Sequence, residues 1–166
     1  MPDDKRLIYS KKWFEKGIKT EDPFDKFIYL WIALVIAAQY NRASGDSDRE
    51  KIVNFFRGRS SLIFNVIKKH HESMVKLAQR SGSKYKGPIV DTGNPELQAK
   101  LSKIVGFYTG EIRLSEDVFV GYVGELMNKV RNNLFHGGKV YDDKEDIALI
   151  NLVNPVLQEV IRRSLL

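Results

Sequence analysis

The sequence predicts an all-α fold, an antiparallel bundle of five to seven helices. Three observations indicate it. Apolar residues recur three and four positions apart over long stretches, which is the period of a helix with one buried face. Residues that favour helix starts stand just before several of these stretches. No two alternating apolar and polar segments flank a tight turn, so no β-hairpin is predicted.

Length and composition fit a soluble globular protein. The 166 residues match one domain in size, so residues 1–166 are expected to form a single unit. The absence of cysteine excludes disulfides and thiolate metal sites, and it suits a reducing cytoplasm, where we expect the protein to act. The apolar run Phe27–Ala38 is too short to span a bilayer, and Met1–Arg6 does not begin a signal peptide, so no membrane partner is expected. The net charge of +6 permits binding to a polyanion.

The first elements are predicted from amphipathic spacing and from a helix start. Residues 1–20 form a short amphipathic segment that we expect to dock on the bundle. Asp22 and Pro23 suit the N-cap and the first position of the next helix. That helix, over 24–42, is apolar almost all round, so we predict that it is the central core helix.

Two helices are predicted to follow. Ser47 and Glu50 have the spacing of a capping box and start a helix that should bend or break at Gly58. A second helix is predicted over 60–80 from its apolar period. Its cations are either a stripe that contacts RNA phosphates or an ordinary solvated face. The candidate RNA-binding residues are Lys68, Lys69, Lys76 and Arg80.

The second half of the chain begins with a loop. Residues 81–93 are rich in Gly, Ser, Lys and Pro and are predicted to be a flexible loop. Pro95 restarts a helix that should end near Tyr108. The last helix is predicted over 143–165, with a kink at Pro155, which has no backbone N–H to donate.

Between these elements lies a helix, capped near Ser115, that has two different faces. Its predicted core stripe is Phe119, Val123, Leu126, Val130 and Leu134. The opposite face contains Gly121 and Gly124, each of which costs about 1 kcal/mol relative to alanine in a helix interior. Close approach of another helix would compensate. That helix belongs either to a second subunit or to the same bundle.

The end of this helix carries the residues with the most chemistry. Asn128, Asn132 and His136 are four apart and line one polar strip. Arg131 and His136 are five apart, which places them about 140° apart around an ideal helix. They can meet if the double glycine at 137–138 unwinds the last turn, or if two copies of the chain face each other. In the simpler alternative, Arg131 and His136 only cap the helix end.

The string from Val130 to Gly138 resembles the signature of the HEPN domain superfamily. That signature has an arginine, usually followed by a polar residue, and a histidine after four to six further residues. The continuation His136-Gly137-Gly138 is similar to the Apea-like, RiboL-PSP-like branch. Residues 22–33 resemble the aromatic first core helix of that branch, so the likeness covers about Pro23 to the C-terminus.

The resemblance implies a HEPN-type bundle, a homodimer through the motif helix, and metal-independent cleavage of RNA. Arg131 would bind and polarise the scissile phosphate, His136 would be the general acid or base, and Asn132 would orient one of them. Lys139 joins the candidate RNA-binding residues. No metal and no cofactor is expected. Related toxins that are neutralised by nucleotide transfer have a tyrosine where this chain has Gly138, so that regulation is not expected.

Three functions are compatible with these residues. In the first, the chain is a metal-independent endoribonuclease that acts as a toxin or a defence effector. A toxin would have a cognate antitoxin as its partner. Alternatively, it is a non-catalytic HEPN module that binds RNA, a nucleotide or a protein partner. In the third, it is a structural dimer or adaptor in which Arg131 and His136 are caps and interface contacts.

Overall fold

The computed structural model of the chain describes residues 2–41, 43–80, 95–135 and 144–165. These ranges contain eight helices and no strand, so the prediction of an all-α helical bundle is confirmed. The helices are α1 (Pro2–Lys19), α2 (Pro23–Tyr40), α3 (Asp48–Gly58), α4 (Ser60–Lys69), α5 (His71–Arg80), α6 (Pro95–Thr109), α7 (Glu116–Phe135) and α8 (Lys144–Leu165). The loop predicted over 81–93 lies outside the described residues.

Side-chain caps start two of the helices where the sequence predicts them. Asp22 Oδ1 accepts a hydrogen bond of 2.9 Å from the backbone N–H of Asp25. Ser47 Oγ accepts one of 3.2 Å from the N–H of Glu50. Glu50 Oε2 accepts from the N–H of Asp46 at 2.7 Å, one residue before the position that a capping box would use. Both helix starts therefore rest on local contacts.

The segment predicted as one helix over 60–80 is two helices. α4 ends at Lys69 and α5 begins at His71, and the backbone of His70 between them has φ −103° and ψ 27°. The break lets α5 pack against both α6 and α8. Because the apolar period continues across His70, the sequence pattern did not reveal this break. With it, the described residues contain eight helices, one more than the upper limit of the expected five to seven.

The helices pack around one hydrophobic core. α1 and α2, joined by residues 20–22, form a hairpin that packs on α8, while α3, α4 and α6 pack on α7. Residues 119–128 of α7 are all buried except Tyr122, so α7 is more enclosed than α2, the helix that we predict to be central. Four residues of the predicted stripe on α7 are fully buried, and Leu134 packs against the core at its edge.

The C-terminal helix closes the bundle against the start of α2. α8 continues as a helix through Pro155. The residue before it, Asn154, is buried, and its Nδ2 donates a hydrogen bond of 3.0 Å to the carbonyl of Pro23. In the described part of the chain, no helix has the length and apolarity needed to cross a membrane.

Candidate functional site

The structure describes two of the three predicted catalytic residues. Arg131 and Asn132 lie in the last turns of α7, which ends at Phe135. His136 and Lys139 lie outside the described residues. The angle between the arginine and the histidine therefore stays a prediction.

The two glycines of α7 face a helix of the same chain. A Cβ atom at Gly121 would lie 3.3 Å from Cδ of Arg57, and one at Gly124 would lie 3.3 Å from Cδ2 of Phe56. Arg57 and Phe56 both belong to α3. Of the two alternatives for the glycine face, close approach within the bundle is the one observed, and α3 supplies the neighbour.

A polar cleft opens on α7 beside this contact, between α3 and α6. Its volume is about 380 Å³. Two members of the predicted polar strip, Asn128 and Asn132, line it, and the third member, His136, lies outside the described residues. The other lining residues are Arg49, Glu96, Lys100, Glu125 and Lys129. The cleft therefore combines two amides with three cations and two carboxylates drawn from three helices.

Glu125 is the charged residue at the floor of the cleft. Its side chain is only 10% exposed. Its Oε1 accepts a hydrogen bond from the guanidinium of Arg49, and its Oε2 lies 2.5 Å from Nζ of Lys100. Enclosing a carboxylate is costly unless cations offset the lost hydration, and here two of them do. α3, α6 and α7 are thus tied together at one carboxylate.

The sequence reasoning missed this network. Arg49 is 76 residues from Glu125, and no local pattern links them. One signal was present. Glu125 stands between Gly124 and Leu126 on a helix whose neighbouring positions are buried, and a charged residue is rarely enclosed unless it is paired.

Arg131 is joined to the cleft through its neighbour. Its Nη1 donates a hydrogen bond of 3.0 Å to Oδ1 of Asn132, which lines the cleft. Because Oδ1 accepts from the arginine, the Nδ2 end of the same amide is the donor that Asn132 can offer to a ligand. The guanidinium and the amide together make a donor-rich edge, which suits an oxyanion such as a phosphate.

The residues of the predicted basic stripe have different surroundings. Nζ of Lys69 lies 3.1 Å from Oε1 of Glu159 on α8, so this exposed lysine forms an ion pair within the chain. Lys68 is exposed and lies at a different cavity, and Lys76 is exposed on α5. The side chain of Arg80 lies outside the described set. None of these three lysines lines the cleft that Asn132 lines.

Glu159 holds two elements together. Besides Lys69, it binds Nε2 of His70 at 2.6 Å and Arg163 at 2.9 Å. Burial opposes the charged form of this carboxylate, but the hydrogen bonds from His70 and Lys69 outweigh it and lower the pKa of Glu159 to about 2. His70, at the α4–α5 break, is thereby fixed to α8 and is part of a structural joint.

Within the described ranges, no three His, Asp or Glu side chains are grouped so that they could hold a metal ion.

Comparison of the sequence with protein-family models finds no match, and comparisons with curated proteins and with solved structures find none either.

Proposed function

We propose that this protein is a HEPN-type, metal-independent endoribonuclease that uses Arg131, Asn132 and His136 at the end of α7. The observation that supports the proposal is the hydrogen bond between Arg131 and Asn132 at the edge of a cation-lined cleft. A guanidinium beside a fixed amide donor suits the binding of a phosphodiester. The sequence motif from Arg131 to Gly138 supplies a histidine, His136, five residues after Arg131.

The proposed reaction is an internal transfer within RNA. His136 takes the proton of a ribose 2′-hydroxyl, and the 2′-oxygen attacks the adjacent phosphorus. The bond from phosphorus to the 5′-oxygen of the next nucleotide breaks, and that oxygen receives a proton from the imidazolium of His136. The products are a 2′,3′-cyclic phosphate and a 5′-hydroxyl. Arg131 stabilises the negative charge that develops on the phosphoryl oxygens. DNA lacks the 2′-hydroxyl and is not cleaved.

The proposed dimer has to use the end of the motif helix. Residues 119–128 of α7 are enclosed by helices of the same chain, except Tyr122. Among the described side chains beyond that stretch, Lys129, Arg131, Asn132 and Leu134 are partly exposed. In the proposed assembly, two chains meet around these last turns, so that the arginine of one copy and the histidine of the other complete each site.

The test is cleavage of single-stranded RNA by purified variants. Arg131→Ala and His136→Ala are expected to lower the cleavage rate by a factor of about a hundred or more, since each removes a group that acts in the transition state. Arg113→Ala is the matched control, because Arg113 is an exposed arginine in the α6–α7 connection. Cleavage should persist in EDTA and leave 2′,3′-cyclic phosphate ends. Unchanged cleavage by His136→Ala would overturn the proposal.

The second candidate is a module that binds RNA or a nucleotide without cleaving it. It is favoured by the position of the cleft cations, since Arg49 and Lys100 line the cleft. This function predicts binding that weakens steeply with salt and shows no turnover. In that case His136→Ala would bind RNA as tightly as the wild type, whereas Arg131→Ala would bind it less tightly.

A further inference from the structure

A second cavity lies among α4, α5, α6 and α7, apart from the cleft. Its volume is about 570 Å³. Its lining is mostly aromatic, with two basic side chains. The lining residues are Phe64, Lys68, His71, Phe107, Tyr108 and Phe119. Lys68 was singled out by the sequence as an RNA-binding candidate, and neither the core nor the cleft uses it.

The aromatic rings form a wall around Phe119. The Phe107 ring stacks on that of Phe119 with centroids 4.4 Å apart, and the Tyr108 and Phe64 rings meet it edge-on at 5.4 and 5.8 Å. Phe119 is fully buried, but Phe64, Phe107 and Tyr108 keep part of their surface open. Rings that are partly exposed and fixed by one another offer a rigid surface for a further planar ring.

The hydroxyl of Tyr108 binds to the protein backbone beside this cavity. It donates a hydrogen bond of 3.4 Å to the carbonyl of Ile67. Burial raises the pKa of Tyr108 far above its usual range. Like an ordinary phenol, it carries no charge near pH 7, so it does not repel a ligand with an anionic group.

The exposed side of the cavity is basic. Lys68 and His71 are both exposed, and Lys68 forms no ion pair with a described residue. The His71 ring lies 6.1 Å from that of Tyr108, so it borders the aromatic wall. An aromatic recess beside a lysine matches a nucleobase with its phosphate, because the base stacks on the rings and the phosphate meets the cation.

One face of α6 connects this cavity to the cleft. Lys100, Lys103 and Phe107 follow each other at intervals of three and four residues, so they lie on one side of the helix. Lys100 lines the cleft and Phe107 lines the cavity, which are separated by about 10 Å along the axis of α6. Between them, Tyr122 of α7 lies under the ammonium groups of Lys100 and Lys103, at 5.9 and 5.8 Å.

We propose that this cavity is a nucleobase-binding subsite for single-stranded RNA, reached by a strand that runs from the cleft along α6. Phe64, Phe107 and Tyr108 hold the base, and Lys68 binds its phosphate. The proposal rests on RNA being the ligand of the cleft. It does not depend on cleavage, so the subsite can be tested separately from the nuclease activity.

The experiment measures binding of the full chain to a fluorescent oligouridylate with 2′-O-methyl groups, which cannot be cleaved by attack of a 2′-hydroxyl. Tyr108→Leu and Lys68→Glu are expected to weaken binding about fivefold or more. Tyr108→Phe keeps the ring, and Lys12→Glu makes the same charge change at an exposed lysine of α1. Both controls should bind within about twofold of the wild type.

Photocrosslinking gives a second readout. A 4-thiouridine in the strand is expected to crosslink to the peptide that contains Phe107 and Tyr108, and Lys68→Glu should reduce that crosslink. The subsite is overturned if RNA binds but Tyr108→Leu and Lys68→Glu both bind like the wild type, if crosslinks form only elsewhere, or if the oligonucleotide does not bind at low salt. If these variants weaken binding but His136→Ala leaves cleavage unchanged, the subsite stands and the proposed nuclease fails.

Discussion

Two carboxylates, Glu125 and Glu159, are enclosed to a similar degree and play different parts in this molecule. Their side chains are 10% and 14% exposed, and each binds more than one cation. Glu125 is paired with Arg49 and Lys100 at the wall of an open cleft. Glu159 is paired with Lys69 and Arg163 and hydrogen-bonded to His70, and its contacts with Lys69 and His70 join the end of α4 to α8.

The difference between the two shows why a run of positive charge is a weak guide to a binding surface. The cations around Glu159 include Lys69, which belongs to a basic segment and is one of the predicted RNA-binding residues. The cations around Glu125, Arg49 and Lys100, were not predicted, and they line the cleft together with Asn132. Lys69 and Arg49 both form an ion pair and both keep half or more of the side chain exposed, so they differ in which surface they line.

Removing the carboxylate at the cleft should have the largest effect on stability. Glu125→Ala leaves Arg49 and Lys100 without their shared partner, and we expect the free energy of unfolding to fall by about 2 kcal/mol. Because the cleft loses a negative charge, the affinity for RNA at low salt should rise. Urea denaturation and fluorescence anisotropy measure the two effects. Glu72→Ala, at an exposed position of α5, is the control. If a folded Glu125→Ala protein bound RNA more weakly than the wild type, the cleft would not be the RNA-binding surface.

Loss of the Glu159 charge should lower the free energy of unfolding by a smaller amount, and that amount should depend on pH. Its pKa of about 2 in the folded protein lies below the ordinary 4.5, so the unfolded chain takes up the proton first. The stabilisation is present above about pH 4.5 and is lost as the pH falls toward 2. Glu159→Gln should therefore cost about 1 kcal/mol near pH 7, after allowance for solvent screening, and progressively less toward pH 3.

Denaturation midpoints of the wild type and of Glu159→Gln between pH 3 and pH 7 test this expectation, with Glu125→Gln as the comparison. A constant difference between wild type and Glu159→Gln over that range would show that the carboxylate does not stabilise the fold through its charge. RNA binding by Glu159→Gln should stay close to that of the wild type, because Glu159 does not line the cleft.

The smallest effects are expected at the two glycines that bring α3 close to α7. Alanine improves helix propensity by up to about 1 kcal/mol at either position. At Gly121 the added methyl meets the flexible side chain of Arg57, which can move, so Gly121→Ala should raise the melting temperature slightly. At Gly124 it meets Phe56, which is fully buried and cannot yield, so the gain should be cancelled or reversed. Thermal unfolding of the two variants tests this ranking of their stabilities. A melting temperature of Gly124→Ala above that of Gly121→Ala would contradict it.

Several elements of the fold could be predicted because their causes are local. Asp22 accepts its hydrogen bond from a residue three positions away, and the glycine at position 58 ends α3 where it was expected. The break at His70 could not be predicted in the same way. It allows α5 to contact α6 and α8, and His70 meets Glu159 89 residues later in the chain.

The candidate site was predicted in part. The sequence indicated the polar strip on α7, and the structure places Asn128 and Asn132 of that strip on the cleft. It did not indicate Glu125 and Arg49, whose contact depends on the packing of α3 against two glycines. The position of His136 relative to Arg131 stays a prediction, and cleavage by the His136→Ala variant is its most direct test.

The sequence by itself determined that this protein is helical and where most of its helices begin, because those features depend on residues within about one helical turn of each other. It also supplied the candidate catalytic residues, in the string from Arg131 to Gly138. Only the tertiary structure decided which cations line the cleft. Lys69 and Arg49 are both cations on helices, and the packing of those helices puts one in a structural joint and the other on a cleft.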